Sequence, residues 1–181
     1  MLTTGMYTVR TATPHDLETL INLRRYAETW LRTAGIEQWT DHARGAAVLR
    51  AGIADGTTRA VLDDQGHVVA SLTLAGPDPD FWTPDDQPDT ALYLYKFMIG
   101  QAARGTGLGD ALLDWACAQA EARSKAWLRL DCWRTNTTLQ AYYARRGFEL
   151  IRLATAPGRN SGALMQRPSS LRTGSAVTIK V

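Results

Sequence analysis

Cysteine is scarce in this chain, and its scarcity removes two classes of protein at once. There are two, Cys117 and Cys132. Neither stands in a cluster with metal-ligand spacing, and two lone cysteines do not make a disulfide framework. No metal site is expected, and the thiols suit a reducing cytoplasm. Long apolar runs are missing as well. No segment approaches the ~20 apolar residues of a membrane span, and Met1 to Arg10 lacks the apolar stretch of a secretory signal. A strong charge of one sign is also missing. Lysine and arginine total 20 against 18 acids, a formal net charge of +2. That is too small and too dispersed for nucleic acid or a membrane surface to be the main partner. No internal repeat is visible. What is left is a globular cytoplasmic protein, with 181 residues and 45% hydrophobic content, enough to build a real core.

The most informative segment begins at Tyr93. Tyr93-Leu-Tyr-Lys-Phe-Met-Ile99 is rich in aromatic and apolar residues and predicts a strand. Gln101-Ala-Ala-Arg-Gly-Thr-Gly-Leu-Gly109 follows, and then Leu108, Leu112, Trp115 and Ala116 repeat at helical spacing. A glycine-rich turn that opens a helix leaves backbone N–H groups unpaired and unobstructed by Cβ atoms. The helix dipole adds partial positive charge at the same place, so such a turn binds phosphate. Arg104 adds a fixed charge beside it. A dinucleotide fold would place Asp131 about ~20 residues beyond the glycines. Three features oppose that reading. The pattern is G-x-G-x-G, five residues separate Ile99 from Gly105, and the chain after Gly109 is too short for a doubly wound sheet.

Arg104-Gly-Thr-Gly-Leu-Gly109 resembles the R-x-x-G-x-G pyrophosphate loop of the GCN5-related N-acetyltransferases (GNAT), the acetyl-CoA-dependent superfamily. Leu130-Asp-Cys-Trp-Arg-Thr-Asn136, followed by Leu139, Tyr143, Gly147 and Phe148, is similar to the family's second block. The two blocks stand in the family's order and at its usual separation. The resemblance spans residues 6 to 167, leaving 168–181 as a tail or edge strand. It implies an α/β (α+β) fold with a mixed, partly parallel central sheet, splayed central strands and flanking helices.

The rest of the chain accommodates that fold. Tyr7 to Thr11 predicts a strand. Thr13-Pro-His-Asp16 starts a helix, with Thr13 as N-cap and Pro14 at the first helical position. A second helix is expected from Asp41 to Ile53. Arg59–Leu62 and His67–Leu74 form a hairpin around Asp63-Asp-Gln-Gly66. After the glycine turn come a strand from Trp127 to Cys132, a helix ended by Gly147, and strands Phe148–Leu153 and Ala163–Arg167. Residues 76 to 90 break the composition. Prolines at 77, 79, 84 and 88 forbid a central strand or helix, and five aspartates keep the loop solvated or steer cations. The tail after Pro168 has three outcomes open: it adds to a sheet edge, pairs with another subunit as a homodimer, or frays.

The resemblance implies specific roles. Arg104, Gly105, Thr106, Gly107, Leu108 and Gly109 hold the pyrophosphate of acetyl-CoA. Backbone groups of Phe97, Met98 and Ile99, with the Asn136 amide, hold the pantetheine arm, although Asn136 is equally placed to cap a helix. Tyr143 is the general acid toward the departing thiolate, while Tyr142 is core packing. Asp131 is the candidate base toward the acceptor amine, against the alternative of a carboxylate ion-paired with Arg129 or Arg134. Trp39 and Trp82 are expected at the acceptor, with Trp30 and Phe81 as further aromatics there. The expected activity is direct transfer of acetyl to a primary amine of a small molecule or peptide in a ternary complex. The contrasting reading is a non-catalytic acyl-CoA-binding module on the same fold.

Overall fold

The computed structural model of the chain describes residues 5–36 and 42–181. Strand β1 (Met6–Thr11) opens it. A 3-10 turn, Pro14–Asp16, follows. Thr13 and Asp16 form a capping box, with the Thr13 N–H donating to the Asp16 carboxylate at 2.7 Å. Arg10 closes on the same carboxylate through both terminal nitrogens, at 2.7 and 2.8 Å. The helical path continues as α1 (Leu17–Thr33), and α2 (His42–Ala54) comes next. The hairpin is β2 (Thr58–Leu62) and β3 (Val68–Ala75). Residues 76–90 contain two 3-10 turns, Pro84–Asp86 and Pro88–Thr90. Then come β4 (Ala91–Ile99), α3 (Leu108–Ala122), β5 (Trp127–Trp133), α4 (Thr137–Ala144), β6 (Glu149–Leu153), β7 (Ser161–Pro168) and β8 (Thr178–Lys180).

The hydrogen-bonded strand order is β6-β7-β5-β4-β3-β2-β1-β8, a mixed sheet of eight strands. The chain divides into two compact units, one of residues Met1–Thr73, Lys96–Leu112 and Ser175–Val181, the other of Leu74–Tyr95 and Leu113–Gly174. In the first unit β2 runs antiparallel to β1 and to β3. Its core gathers Leu20 of α1, Leu49 and Ile53 of α2, and Ala12, Ala60 and Met98. The tail adds an edge strand there. Thr178, Ile179 and Lys180 pair parallel with Met6, Tyr7 and Thr8.

In the second unit β4 pairs parallel with β5, through Ala91–Trp127, Leu92–Leu128 and Tyr93–Arg129. The ladder therefore uses the opening residues of a strand that is nine residues long. Further along, Lys96 takes φ +49°, a left-handed conformation that interrupts extended geometry in a residue with a Cβ. β7 pairs antiparallel with both β5 and β6. The core here is Phe81, Trp82, Ala91, Tyr93 and Leu164. Among the described residues, no helix is long and apolar enough to cross a membrane.

Candidate active site

The glycine turn lies in the first unit and follows β4 directly. The Gly100 N–H donates to the Val69 carbonyl at 2.8 Å, tying the strand end to β3. A 3-10 turn over Gln101–Ala103 leads to Arg104 in extended conformation. Gly105 (φ +73°) and Gly107 (φ +86°) are both left-handed, and α3 begins at Leu108. A backbone that enters this region curls its N–H groups into an anion-binding concavity, and the helix start reinforces it. At Gly105 the requirement is conformation rather than space, since a Cβ placed there would meet nothing within 4 Å. Gly109 sits inside the first turn of α3 with Leu108.

Side chains brace this turn. The Thr106 hydroxyl donates to the Ala103 carbonyl at 2.8 Å and accepts from the Leu108 N–H at 3.3 Å. The Tyr7 hydroxyl reaches the same oxygen at 3.5 Å. The Arg104 guanidinium lies 4.4 Å from the Trp30 ring centroid and 5.1 Å from that of Tyr26. These two rings are one helical turn apart on α1, so they form a paired face for the cation. Trp30 is thus a partner of Arg104. Of the three β4 residues, Met98 is buried in the core, and Phe97 and Ile99 are half-buried beside it. Trp39 lies outside the described residues.

The second unit holds the remaining candidates. Asn136 is 6% exposed and caps α4, its Oδ1 accepting from the Leu139 N–H at 2.9 Å. Tyr143, on α4, is 7% exposed and packs edge-on against Tyr142 at 5.3 Å and Phe148 at 5.4 Å. Burial first, and then Cys132, push its phenol pKa well up. The group is a neutral donor across the physiological range. The Cys132 thiol is pushed up to about 12, again by burial first and then by Asp131. Asp131 stands half-buried on β5, in register with Leu164 of β7. Strand alternation puts it on the face opposite Cys132, with Trp127 and Arg129. Its negative charge also helps to hold the Tyr95 phenol up, after burial.

Trp82 is 3% exposed within the second core, edge-on to Tyr93 at 5.4 Å, with the Arg129 guanidinium 4.9 Å from its ring centroid. Among the described residues its Nε1 has no hydrogen-bond acceptor. The loop at 76–90 is solvated over most of its length, as expected, with Phe81 and Trp82 buried, and it is also pinned. Arg152 donates to both oxygens of Asp86, at 2.6 and 2.7 Å, and to the Phe81 carbonyl at 3.1 Å. Arg159 grips Asp78 at 2.7 Å and Asp80 at 2.8 Å. Arg129 adds a bond to the Asp86 carbonyl at 2.8 Å. Among the described residues, no group of three or more His, Cys, Asp or Glu is placed to hold a metal ion.

A model of the Acetyltransferase (GNAT) family matches residues 22–148, more than half of the chain. The chain belongs to that family. It is an acetyl-CoA-dependent N-acetyltransferase, as its two motif blocks imply. It is 27% identical over 141 residues to the uncharacterized N-acetyltransferase YesJ of Bacillus subtilis (strain 168), covering 75% of this chain and 78% of that one. A GNAT-family acetyltransferase of Listeria monocytogenes 4b F2365 superposes with a TM-score of 0.72 at 25% identity, over 90% of this chain and 94% of its own. A phosphinothricin acetyltransferase of Sinorhizobium meliloti, solved in complex with AcCoA, shares the fold. Its TM-score is 0.62 at 24% identity, over 97% of this chain and 92% of its own.

Sequence reasoning passed over several residues that shape this acetyltransferase. Lys96 carried no signal, because a positive φ at a lysine is imposed by tertiary context. Arg152 on β6 and Arg159 in the β6–β7 connection were given no role. Tyr26 was legible only in retrospect, four residues before Trp30 on a helix that faces a basic loop.

Proposed function

We propose that the enzyme transfers acetyl directly from acetyl-CoA to a primary amine of a small molecule or peptide in a ternary complex. The observation that carries this reading is the turn in which Gly105 and Gly107 both adopt positive φ immediately before α3, with Arg104 at its edge. In this reading the backbone of Arg104 to Gly109 takes the pyrophosphate. Backbone groups of Phe97, Met98 and Ile99, beyond the β4–β5 ladder, take the pantetheine arm together with Asn136. The Asn136 Oδ1 also accepts the Leu139 N–H that caps α4, which fixes the side chain in place.

The acceptor nitrogen attacks the thioester carbonyl carbon and a C–N bond forms. The carbonyl oxygen becomes an oxyanion, which a β4 N–H stabilises. Collapse breaks the C–S bond and releases the thiolate, while the proton lost by the attacking nitrogen goes to Asp131, directly or through water. Tyr143 is the donor to the departing sulfur. A free thiol has a pKa near ~8.5, below the ~10 of an ordinary tyrosine phenol, so the neutral phenol stabilises the thiolate by hydrogen bonding more than by yielding its proton. Trp82 and Trp39 are the aromatics assigned to the acceptor. Supporting Tyr143 are its burial and upward-shifted pKa, which keep the hydroxyl protonated.

The test is release of free thiol from acetyl-CoA across aminoglycosides, polyamines, amino acids and peptide N-termini. At least one amine should give saturable turnover that Tyr143→Phe reduces. Tight CoA binding with no turnover on any amine would reinstate the non-catalytic module.

A further inference from the structure

The C-terminal tail lies beyond residues 22–148, the part of the chain that the family model matches. Two anchors fix it. On α3, the Asp114 carboxylate accepts from the Thr173 N–H at 3.1 Å, the Thr173 hydroxyl at 3.2 Å and the Gly174 N–H at 3.0 Å. The fully buried Arg167 pairs with the same carboxylate. At the other end, Thr178–Lys180 is zipped to β1. Between the anchors, Ser175 and Val177 lie against Gly107. The Ser175 hydroxyl accepts from the Val177 N–H at 3.1 Å, so its own proton is left for the Gly107 carbonyl, 3.3 Å away. That carbonyl also accepts the Ala111 N–H at 3.2 Å, the bond that opens α3. A Cβ at Gly107 would touch Ser175 Oγ at 3.5 Å and Val177 Cγ2 at 3.6 Å. Tyr7, which pairs with Ile179, reaches Thr106 on the same turn.

We infer that Ser175–Lys180 is a positioning element for the donor-binding turn, with Ser175 the residue that fixes the Gly107 peptide. The inference rests on the reading that this turn takes the pyrophosphate. Glycine has the largest backbone freedom of any residue, and a turn with two left-handed glycines loses that freedom each time it grips a ligand. A hydroxyl that holds the Gly107 carbonyl, with an apolar side chain behind it, removes part of that loss before the ligand arrives. Affinity gained this way appears only for ligands that use the turn. The tail therefore favours donors that carry the pyrophosphate over those that carry the pantetheine arm alone.

The experiment uses the full chain and two probes, CoA and pantetheine, which lacks the pyrophosphate. CoA binding is followed by calorimetry and pantetheine binding by NMR shifts, at a temperature where each variant is folded. Thr178→Pro, which removes the N–H that donates to the Gly5 carbonyl at 3.1 Å and so weakens the β8 pairing, should raise the Kd for CoA about tenfold and leave that for pantetheine unchanged. Ser175→Ala should raise the CoA Kd roughly three- to fivefold, the worth of one hydrogen bond, and Ser175→Thr should restore it. If Thr178→Pro fails to fold, the serine pair decides the matter alone. Equal weakening of both probes, or no change in either, overturns the inference. Gly107→Glu separates it from the reading beneath it. If that variant binds CoA normally, the pyrophosphate assignment fails. If it loses CoA while Ser175→Ala and Thr178→Pro do not, only the positioning role of the tail fails.

Discussion

Two loops bracket β4 in sequence, and they are held by different physics. Residues 76–90, which enter the strand, carry four prolines and five aspartates. Their order comes from side chains distant in sequence: Arg152 of β6 on Asp86, Arg159 of the β6–β7 connection on Asp78 and Asp80, and Arg129 of β5 on the Asp86 carbonyl. Proline lowers the entropy of the unfolded loop, and the ion pairs fix the folded one. Residues 100–107, which leave the strand, carry Gly100, Gly105 and Gly107. Their order comes from backbone dihedrals, the Thr106 hydroxyl and a stacked cation. The entering loop should answer to pH and salt. The leaving loop should answer to side-chain bulk at its glycines and to ligand.

The sharpest way to break that contrast is at Gly107. A glutamate there must adopt φ near +86°, costing about 1–2 kcal/mol. It also sets a negative charge beside the bound phosphates, adding about 1–4 kcal/mol at close range. CoA affinity measured by calorimetry should fall by roughly 10²-fold or more, while Asp80→Asn in the other loop leaves it unchanged. Gly105→Ala isolates the conformational part, since nothing within 4 Å opposes its Cβ, and it should cost about 1–2 kcal/mol of stability by thermal melting. Tyr143→Phe is the next largest effect. It should lower kcat by about 10²-fold, with acetyl-CoA binding little changed, because the hydroxyl matters when the thiolate departs.

Where the contrast was legible in the sequence is instructive. The glycine turn was, because strand, glycines and helix are local features whose physics needs nothing from the rest of the chain. The helix start at Thr13 and Pro14 and the hairpin of β2 and β3 were legible for the same reason. The entering loop was read as solvated, which its composition favours. Its burial of Phe81 and Trp82 depends on Arg152 and Arg159, more than sixty residues away, and no local pattern announces that pairing. The tail resisted for a further reason: a three-residue edge strand carries too little periodicity to choose among pairing, swapping and fraying.

Acid is the next probe, and its effect should fall on the entering loop. The Arg152 guanidinium holds the Asp86 carboxyl well below the usual carboxylate range, helped by the Thr83 N–H and hydroxyl against the cost of burial. A carboxylate depressed on folding contributes stability above its unfolded pKa, near ~3.9, and loses it as pH falls toward the folded value. Asp16, held down by Arg10, behaves alike. Melting temperature should therefore drop as pH is lowered below about 5. Asp86→Asn should remove part of that pH dependence and cost about 1–2 kcal/mol at neutral pH, discounted because Arg152 is partly exposed. A melting profile that keeps its full acid sensitivity in Asp86→Asn would place the titration elsewhere.

The smallest effect tests whether the leaving loop has a side-chain brace at all. Arg104 is poised over Trp30 at 4.4 Å and Tyr26 at 5.1 Å, and Trp30 is 46% exposed. A cation over an exposed ring is worth about 0.5–1 kcal/mol, and two rings hold the guanidinium in one orientation at little extra entropic cost. Trp30→Ala should release Arg104 to solvent and raise KM for acetyl-CoA roughly two- to fivefold. Trp30→Phe should recover most of that loss, because it keeps a ring face. Since kcat reports the chemistry and not the grip on the pyrophosphate, it should stay level in both. A fall in kcat with KM unchanged would instead place Trp30 at the acceptor. Arg104→Lys sharpens the distinction: an ammonium keeps the charge but loses the planar stack, so it should mimic Trp30→Ala and add little to it when the two are combined.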